Sequence, residues 1–240
     1  MATPHLILVP GLLCDAEVWK HQSRALESLT TIAIADHGLS DSLEKMAIAL
    51  LERAPERFAL AGHSMGGRVA FEVLRRAPER LAGLALLDTD YMPRRSGEAG
   101  EREQAGRYAL LHKARTEGMR AMGAEWVQRM VHPERLSDAS ILKAILDMIE
   151  RMTADIFAAQ INALLARRDS APLLPGIQCP TLVLCGRQDG WSTLARHEEM
   201  AASIPNSSLA VIESCGHMCT MERPEEVTAA LTKWLRSISS

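Results

Sequence analysis

Aromatic side chains are scarce: four Trp, two Tyr and three Phe in 240 residues, too few for a platform on which nucleic-acid bases stack. Excess positive charge is missing as well. Lys and Arg total 27 against 30 Asp and Glu, a formal net charge of -3. That balance offers no basic face to a phosphate backbone and excludes nucleic acid as a partner. Long hydrophobic runs are absent too. The stretch Leu81 to Leu87 falls far short of the roughly 18–20 residues that a spanning helix needs. The chain enters Leu6-Ile7-Leu8-Val9 with no Lys or Arg before it and is halted by Pro10-Gly11, so neither a membrane association nor a signal peptide is expected. Five cysteines, Cys14, Cys179, Cys185, Cys215 and Cys219, form an odd set without framework spacing. They are expected to be reduced thiols in a cytoplasmic protein.

What is present is globular. Hydrophobic residues make up 47% and charged ones 24%, which excludes a disordered chain. Short apolar runs recur at Leu6–Val9, Thr31–Ala35, Phe58–Ala61, Leu84–Leu87, Thr181–Cys185 and Leu209–Ile212. They are apolar at nearly every position, the pattern of strands covered on both faces in a parallel sheet. Helical stripes lie between them. One runs through Leu43, Met46, Ala47, Leu50, Leu51 and Ala54 behind an N-cap at Asp41 or Ser42, and another through Val227, Ala230, Leu231, Trp234, Leu235 and Ile238, opened by Pro224. Alternating strands and helices predict an α/β fold, a mostly parallel sheet flanked by helices.

The alternation stops between Tyr91 and Leu174, where helical patterns (Ile141, Ile145, Met148, Ile149, Met152, then Ile156, Ile161, Leu164, Leu165) replace β-runs. The predicted organisation is a core of residues 1–90 plus 175–240 with an all-helical insertion at 91–174. Six methionines fall there: Met92, Met119, Met122, Met130, Met148 and Met152. They either fill gaps between helices or face an adaptable acyl-binding cavity.

The sharpest signal is Gly62-His63-Ser64-Met65-Gly66-Gly67, directly after the Phe58–Ala61 run and before a helical stretch with Val69, Ala70, Val73 and Leu74. This is G-x-S-x-G between strand and helix. A serine on so tight a corner is held in strained backbone geometry, with small neighbours because a Cβ at Gly62 or Gly66 would collide. Its hydroxyl projects from the sheet edge while the helix N-terminus directs amides toward it.

At this motif the chain resembles the α/β-hydrolase family, and the resemblance extends over nearly the whole sequence. It implies a parallel sheet with a helical cap inserted at 91–174, here without the family's usual N-terminal hairpin. It also implies a triad in the order nucleophile, acid, histidine. Ser64 matches the nucleophile, and His217, in Glu213-Ser214-Cys215-Gly216-His217-Met218 after the last run, matches the histidine. Asp189, in Gly186-Arg187-Gln188-Asp189-Gly190, matches the acid, with Asp88 and Asp90 as rivals at the end of the Leu84–Leu87 run. An oxyanion hole is implied at the backbone N–H groups of Met65 and Leu12; the loop carrying Leu12 has Pro10-Gly11 where many relatives have His-Gly.

The other candidates are bland. His63 is expected to point away from the nucleophile, His197 to lie in a surface helix, and His112 and His132 to lie in the insertion. Cys215-x-His217-x-Cys219 lacks a second pair at zinc spacing, so no metal is expected. Cys14 has no activating context. Trp191 either borders the pocket or packs in its loop. Arg94-Arg95 lies on a solvated hinge or meets a substrate carboxylate.

The functional expectation is a serine hydrolase that cleaves a small carboxylic ester through an acyl-enzyme, without a cofactor, as a monomer or homodimer. A serine at this position argues against the dehalogenase and epoxide-hydrolase branches of the same fold, which use aspartate. Carbon–carbon bond hydrolysis, a lyase step like that of menaquinone synthesis, and a ligand-sensing receptor with vestigial activity are the alternatives on the same residues.

Overall fold

The computed structural model describes residues 4–238. Six strands, β1 (His5–Val9), β2 (Ile32–Ile34), β3 (Phe58–His63), β4 (Leu81–Leu87), β5 (Thr181–Gly186) and β6 (Ser207–Ile212), pair in the order β2-β1-β3-β4-β5-β6. Every pairing is parallel. All six apolar runs of the sequence are strands. The central β3, β4 and β5 are buried at every residue, as expected of strands covered on both faces. The edge strands depart from that expectation: β2 is half-buried with Ala33 exposed, and β6 leaves Ser208 and Leu209 exposed. Each has only one neighbour, so the flanking helices cover it incompletely.

The helices that serve the sheet are α1 (Lys20–Leu26), α2 (Leu43–Arg53) and α3 (Met65–Arg76). Ser42, not Asp41, caps α2 by accepting from the Lys45 amide, while Asp41 pairs with Lys45 Nζ at 2.8 Å. Between β4 and β5 the chain forms α4 (Gly97–Glu117), α5 (Met119–Trp126), α6 (Ala139–Glu150) and α7 (Ala154–Leu165) and, among the described residues, no strand. The chain then adds α8 (Leu194–Ser203), the short α9 (Cys219–Glu222) and α10 (Pro224–Ile238). Helix α10 buries Val227, Leu231, Trp234 and Leu235 and packs with α1; α2 packs with α3. The methionines divide. Met122 and Met148 are fully buried in the helical segment, whereas Met92 and Met130 line a cavity described below.

The strand order positions the site. From β1 the chain steps outward to β2, then returns across β1 to β3, so the connections leaving β1 and β3 diverge to opposite faces of the sheet. In open α/β sheets that divergence opens a crevice at the carboxyl ends of the strands. The register sets Val9 beside Gly62, so the loop after β1 and the turn after β3 emerge as neighbours. Among the described residues no helix is long and apolar enough to cross a membrane.

Candidate active site

The turn between β3 and α3 is as tight as its glycines imply. A Cβ on Gly66 would collide with the Val9 carbonyl, and one on Gly62 with the backbone of Gly66. Ser64 between them has φ 53° and ψ -115°, a left-handed conformation that a non-glycine residue keeps only when its surroundings enforce it. The enforcing bonds are visible: Ser64 N donates to Leu87 O at 2.9 Å, and Thr89 Oγ1 donates to Ser64 O at 2.7 Å. The turn is thus tied to the end of β4.

Two loops bring further groups to this corner. His217 lies on the turn after β6, and its Nε2 is 2.8 Å from Ser64 Oγ. Its Nδ1 is 2.8 Å from Asp189 Oδ2 on the turn after β5. With Nδ1–H donating to the carboxylate, Nε2 is left as the acceptor of the serine proton. The other oxygen of Asp189 accepts from the amides of Trp191 (2.7 Å) and Ser192 (3.0 Å). The carboxylate is thereby fixed, and it is nearly fully buried. Burial pushes Asp189 up, but the His217 charge and these bonds outweigh it and hold the carboxyl below its ordinary range. Burial likewise opposes charge on His217; the Asp189 charge and hydrogen bond, helped by Asp88 and Glu222, overcome it and raise the imidazole.

That direction sets a pH dependence. Only the unprotonated ring is able to take a proton from Ser64, and that form is lost as pH falls through the His217 pKa. We expect the acid limb of kcat/KM to have its midpoint above 6.5, the ordinary histidine value. A midpoint below 6.5 in a pH–rate profile would contradict the assigned surroundings of the ring.

The amides of Leu12 and Met65 have no hydrogen-bond partner among the described residues, and both residues line the cavity that Ser64 and His217 face. Met65 opens α3, where an N–H has no intrahelical acceptor. Gly11 packs so closely on the turn that an added Cβ would sit 3.1 Å from Ser64 Cβ and 3.0 Å from His63 Nδ1. The Pro10-Gly11 loop therefore lies directly beside the serine.

The rival carboxylates are elsewhere. Asp88 is fully buried and accepts from Gly186 N (2.9 Å) and Cys219 N (3.2 Å), bracing the two turns that carry Asp189 and His217. Burial, then the Asp189 charge, push it up to about 8. Asp90 faces Arg68 and Arg196. One of the histidine expectations is revised. His197 is buried, not at the surface: it lies on the inner face of α8, where Nε2 accepts from Thr89 N at 3.1 Å and Nδ1 donates to Thr193 O at 3.0 Å. His63 does not reach Ser64 Oγ, yet it is no bystander, since its Nε2 donates to His217 O at 2.8 Å. Burial, then the His217 charge, lower it to about 4, which keeps the ring neutral as a fixed prop.

Glu222 was not anticipated from the sequence. It is buried, and its carboxylate accepts from the amides of His132 (2.7 Å), Gly216 (3.1 Å) and Met218 (3.2 Å), both neighbours of His217 among them. The His217 amide itself donates to Met130 O at 2.7 Å. The histidine turn is therefore stitched to the 130–132 segment of the helical insertion. Replacing Glu222 with alanine would leave two buried N–H groups and the part-buried one of His132 without their acceptor, at roughly 1–3 kcal/mol for each buried group. We expect Glu222→Ala to lower stability by about 3 kcal/mol or more and kcat at least ~10-fold, with Glu222→Gln partly restoring both because one acceptor oxygen remains. Urea unfolding and ester kinetics on the two variants measure this; an unchanged unfolding midpoint would refute it.

The cysteines are free and, apart from half-buried Cys179, buried. Burial pushes the Cys14 thiol up to about 12, which leaves it unreactive at neutral pH. Among the described residues no three His, Cys, Asp or Glu side chains are grouped to hold a metal ion.

Ser64 and His217 open onto a cavity of about 790 Å³ beneath α4 and the chain that precedes it. Trp126, Met130, Leu164 and Trp191 supply apolar wall, and six arginines supply charge. Trp191 thus borders the pocket; its indole Nε1 donates to Arg129 O at 3.0 Å. A second chamber of about 400 Å³ shares Leu12, Trp126 and Trp191 and adds Leu110 and Phe157.

Comparison with known proteins agrees with this architecture. The model of the alpha/beta hydrolase family matches residues 6–230. A pimeloyl-[acyl-carrier protein] methyl ester esterase of Aromatoleum aromaticum is 27% identical, the match covering 98% of this chain and all of that protein. A solved thermophilic esterase from Thermogutta terrifontis superposes with TM-score 0.87 at 30% identity, over 99% of this chain and 91% of that one. The enol-lactonase from Burkholderia xenovorans shares the fold, with TM-score 0.82 at 24% identity over 98% and 92% of the two chains. With the sheet, the serine turn and the family match in agreement, the chain belongs to the alpha/beta hydrolase family and is a hydrolase.

Proposed function

We propose that this protein is a carboxylic ester hydrolase in which Ser64 is the nucleophile, His217 the general base and acid, and Asp189 the orienting carboxylate. The pair of hydrogen bonds made by the His217 ring carries the reading: one nitrogen meets Ser64 Oγ and the other meets Asp189, each at 2.8 Å. Esterases among the relatives support the choice of an ester.

In this reading Ser64 Oγ attacks the ester carbonyl carbon as its proton passes to His217 Nε2. Asp189 does not take that proton; it stabilises the imidazolium and fixes its tautomer. The tetrahedral oxyanion is held by the Leu12 and Met65 amides, and a single donor of this kind contributes about 3–4 kcal/mol. Collapse breaks the bond to the alcohol, which leaves with the proton from His217, and the acyl group stays on Ser64. Water then gives a proton to His217, attacks the acyl carbon and releases the carboxylic acid, and Ser64 regains its proton. Residues 91–174 act as a cap whose helices wall the acyl chamber and shield the acyl-enzyme from bulk water, over a core of residues 1–90 and 175–240. Buried thiols suit a reducing compartment such as the cytoplasm.

The test is turnover of p-nitrophenyl esters with acyl chains of two to twelve carbons. The expected result is hydrolysis that disappears in Ser64→Ala. Labelling by a fluorophosphonate with no turnover of any ester would favour the carbon–carbon hydrolase, lyase or receptor alternatives.

A further inference from the structure

The cavity in front of Ser64 is charged in one sense. Arg68, Arg94, Arg95, Arg107, Arg167 and Arg196 line it, against two carboxylates, Asp90 and Glu103. Those carboxylates are shared. Glu103 accepts from Arg107 at 3.0 Å and from both terminal nitrogens of Arg167 at 2.7 and 2.8 Å. Asp90 lies 3.8 Å from Arg68 and 3.9 Å from Arg196. Arg196 has a further partner in Glu199, whereas Arg94 and Arg95 have no ion pair among the described residues. Cation thus exceeds anion along the walls of this cavity.

Two of these guanidinium groups lie deep. The Arg167 side chain is only 9% exposed, and its Nε–H has no acceptor. A buried N–H of this kind normally has a partner. The Arg68 side chain is 14% exposed and donates to Met92 O at 2.9 Å. It sits on α3 four residues after Ser64, one helical turn away. Burial first, then the Arg167 charge, lower Arg68 to about 9, so it remains cationic at neutral pH beside like charges.

Resting on the reading of Ser64 as nucleophile, we propose that the substrate is an acidic ester, one carrying a free carboxylate remote from the reacting carbonyl, and that Arg68 and Arg167 form the subsite that binds this carboxylate. The planar guanidinium fork matches a carboxylate. Because the Arg68 and Arg167 side chains are themselves largely buried, an anion meeting them gains more than it would from exposed cations. The carboxylate undergoes no bond change; it places the ester carbonyl against Ser64, and its binding separates acidic esters from neutral ones of the same shape. The apolar walls at Trp126 and Leu164 accommodate the methylenes between the two ends.

The experiment compares isosteric pairs by acid release: monoethyl adipate against ethyl hexanoate, which carries the charge on the acyl side, and 4-acetoxybutanoate against butyl acetate, which carries it on the alcohol side. In at least one pair the acidic ester is expected to have the higher kcat/KM, by about 10-fold or more. In Arg68→Gln and in Arg167→Gln that ratio should fall at least ~10-fold; a merely structural effect lowers both members alike and leaves the ratio unchanged. Glutarate should inhibit at lower concentration than inorganic phosphate, and the reverse order would overturn the assignment of a carboxylate. Serine-dependent turnover with no preference in either pair overturns the subsite alone. Absence of turnover on all four esters overturns it together with the esterase reading. The wild-type ratios decide the matter even where a variant fails to fold.

Discussion

Ser64→Ala is expected to lower kcat for any ester substrate by at least ~10⁴-fold, the scale seen when a residue that acts as one unit with its partners is removed. The reason is local. The turn, the helix N-terminus and His217 Nε2 converge upon this hydroxyl, and the nearby Cys14 does not replace it, being buried with its thiol pushed up to about 12. His217→Ala should fall in the same range, and the double variant should be little worse than either single one, because each has already removed the reaction path. Steady-state kinetics on the three proteins checks both statements. Additive losses would contradict a single concerted device.

Asp189→Asn is the second large expected effect, about 10⁴-fold in kcat. Asparagine can still accept from the Trp191 and Ser192 amides, so the turn survives. It presents no charge to the ring, however, and its NH₂ can face Nδ1 only if the ring turns to the wrong tautomer. The control is Asp88→Asn. Both carboxyls are buried near His217, but Asp88 spends its oxygens on Gly186 N and Cys219 N, and its asparagine variant should retain at least ~100 times more activity than Asp189→Asn. The same pair gives a pH signature. Removing the carboxylate that raises His217 should shift the acid limb of kcat/KM downward in Asp189→Asn. Equal losses in the two variants would contradict the assignment of Asp189.

The parts of this molecule that were legible in the sequence are those dictated by local rules. Continuous apolar runs such as Phe58–Ala61 read as buried strands because both faces of a central strand must be covered. Ser64 read as a hydroxyl projecting from a strained corner because only glycine tolerates the approaches made at positions 62 and 66. His217 and Asp189 were placed by resemblance, since spacing alone says nothing about which turns meet at one end of a sheet.

Less visible were residues whose meaning depends on distant partners. Helix α4 carries no apolar stripe and buries only Gly100, Leu111 and Ala114. It is held by pairs such as Glu103 with Arg107 one turn on, and it turns charged residues toward the cavity, so periodicity gave no sign of it. Glu222 resembles any solvated carboxylate in a short helix until the turn around His217 is folded over it. His197 looked like a surface residue because the helix is polar overall; its burial follows from the one face that packs on β5 and β6. Arg68 sits in α3 as an ordinary basic residue, and its place in the cavity that Ser64 faces emerges only when the helical segment closes above it.

The most direct test of the central claim is the intact mass of the protein after brief exposure to a fluorophosphonate, followed by peptide mapping of the adduct. The expected result is a single covalent phosphonyl adduct on Ser64 in the native protein, formed far more slowly in His217→Ala and absent in Ser64→Ala. An unmodified native protein, or an adduct on any other residue, would contradict the claim that His217 and the turn after β3 together make the Ser64 hydroxyl a nucleophile.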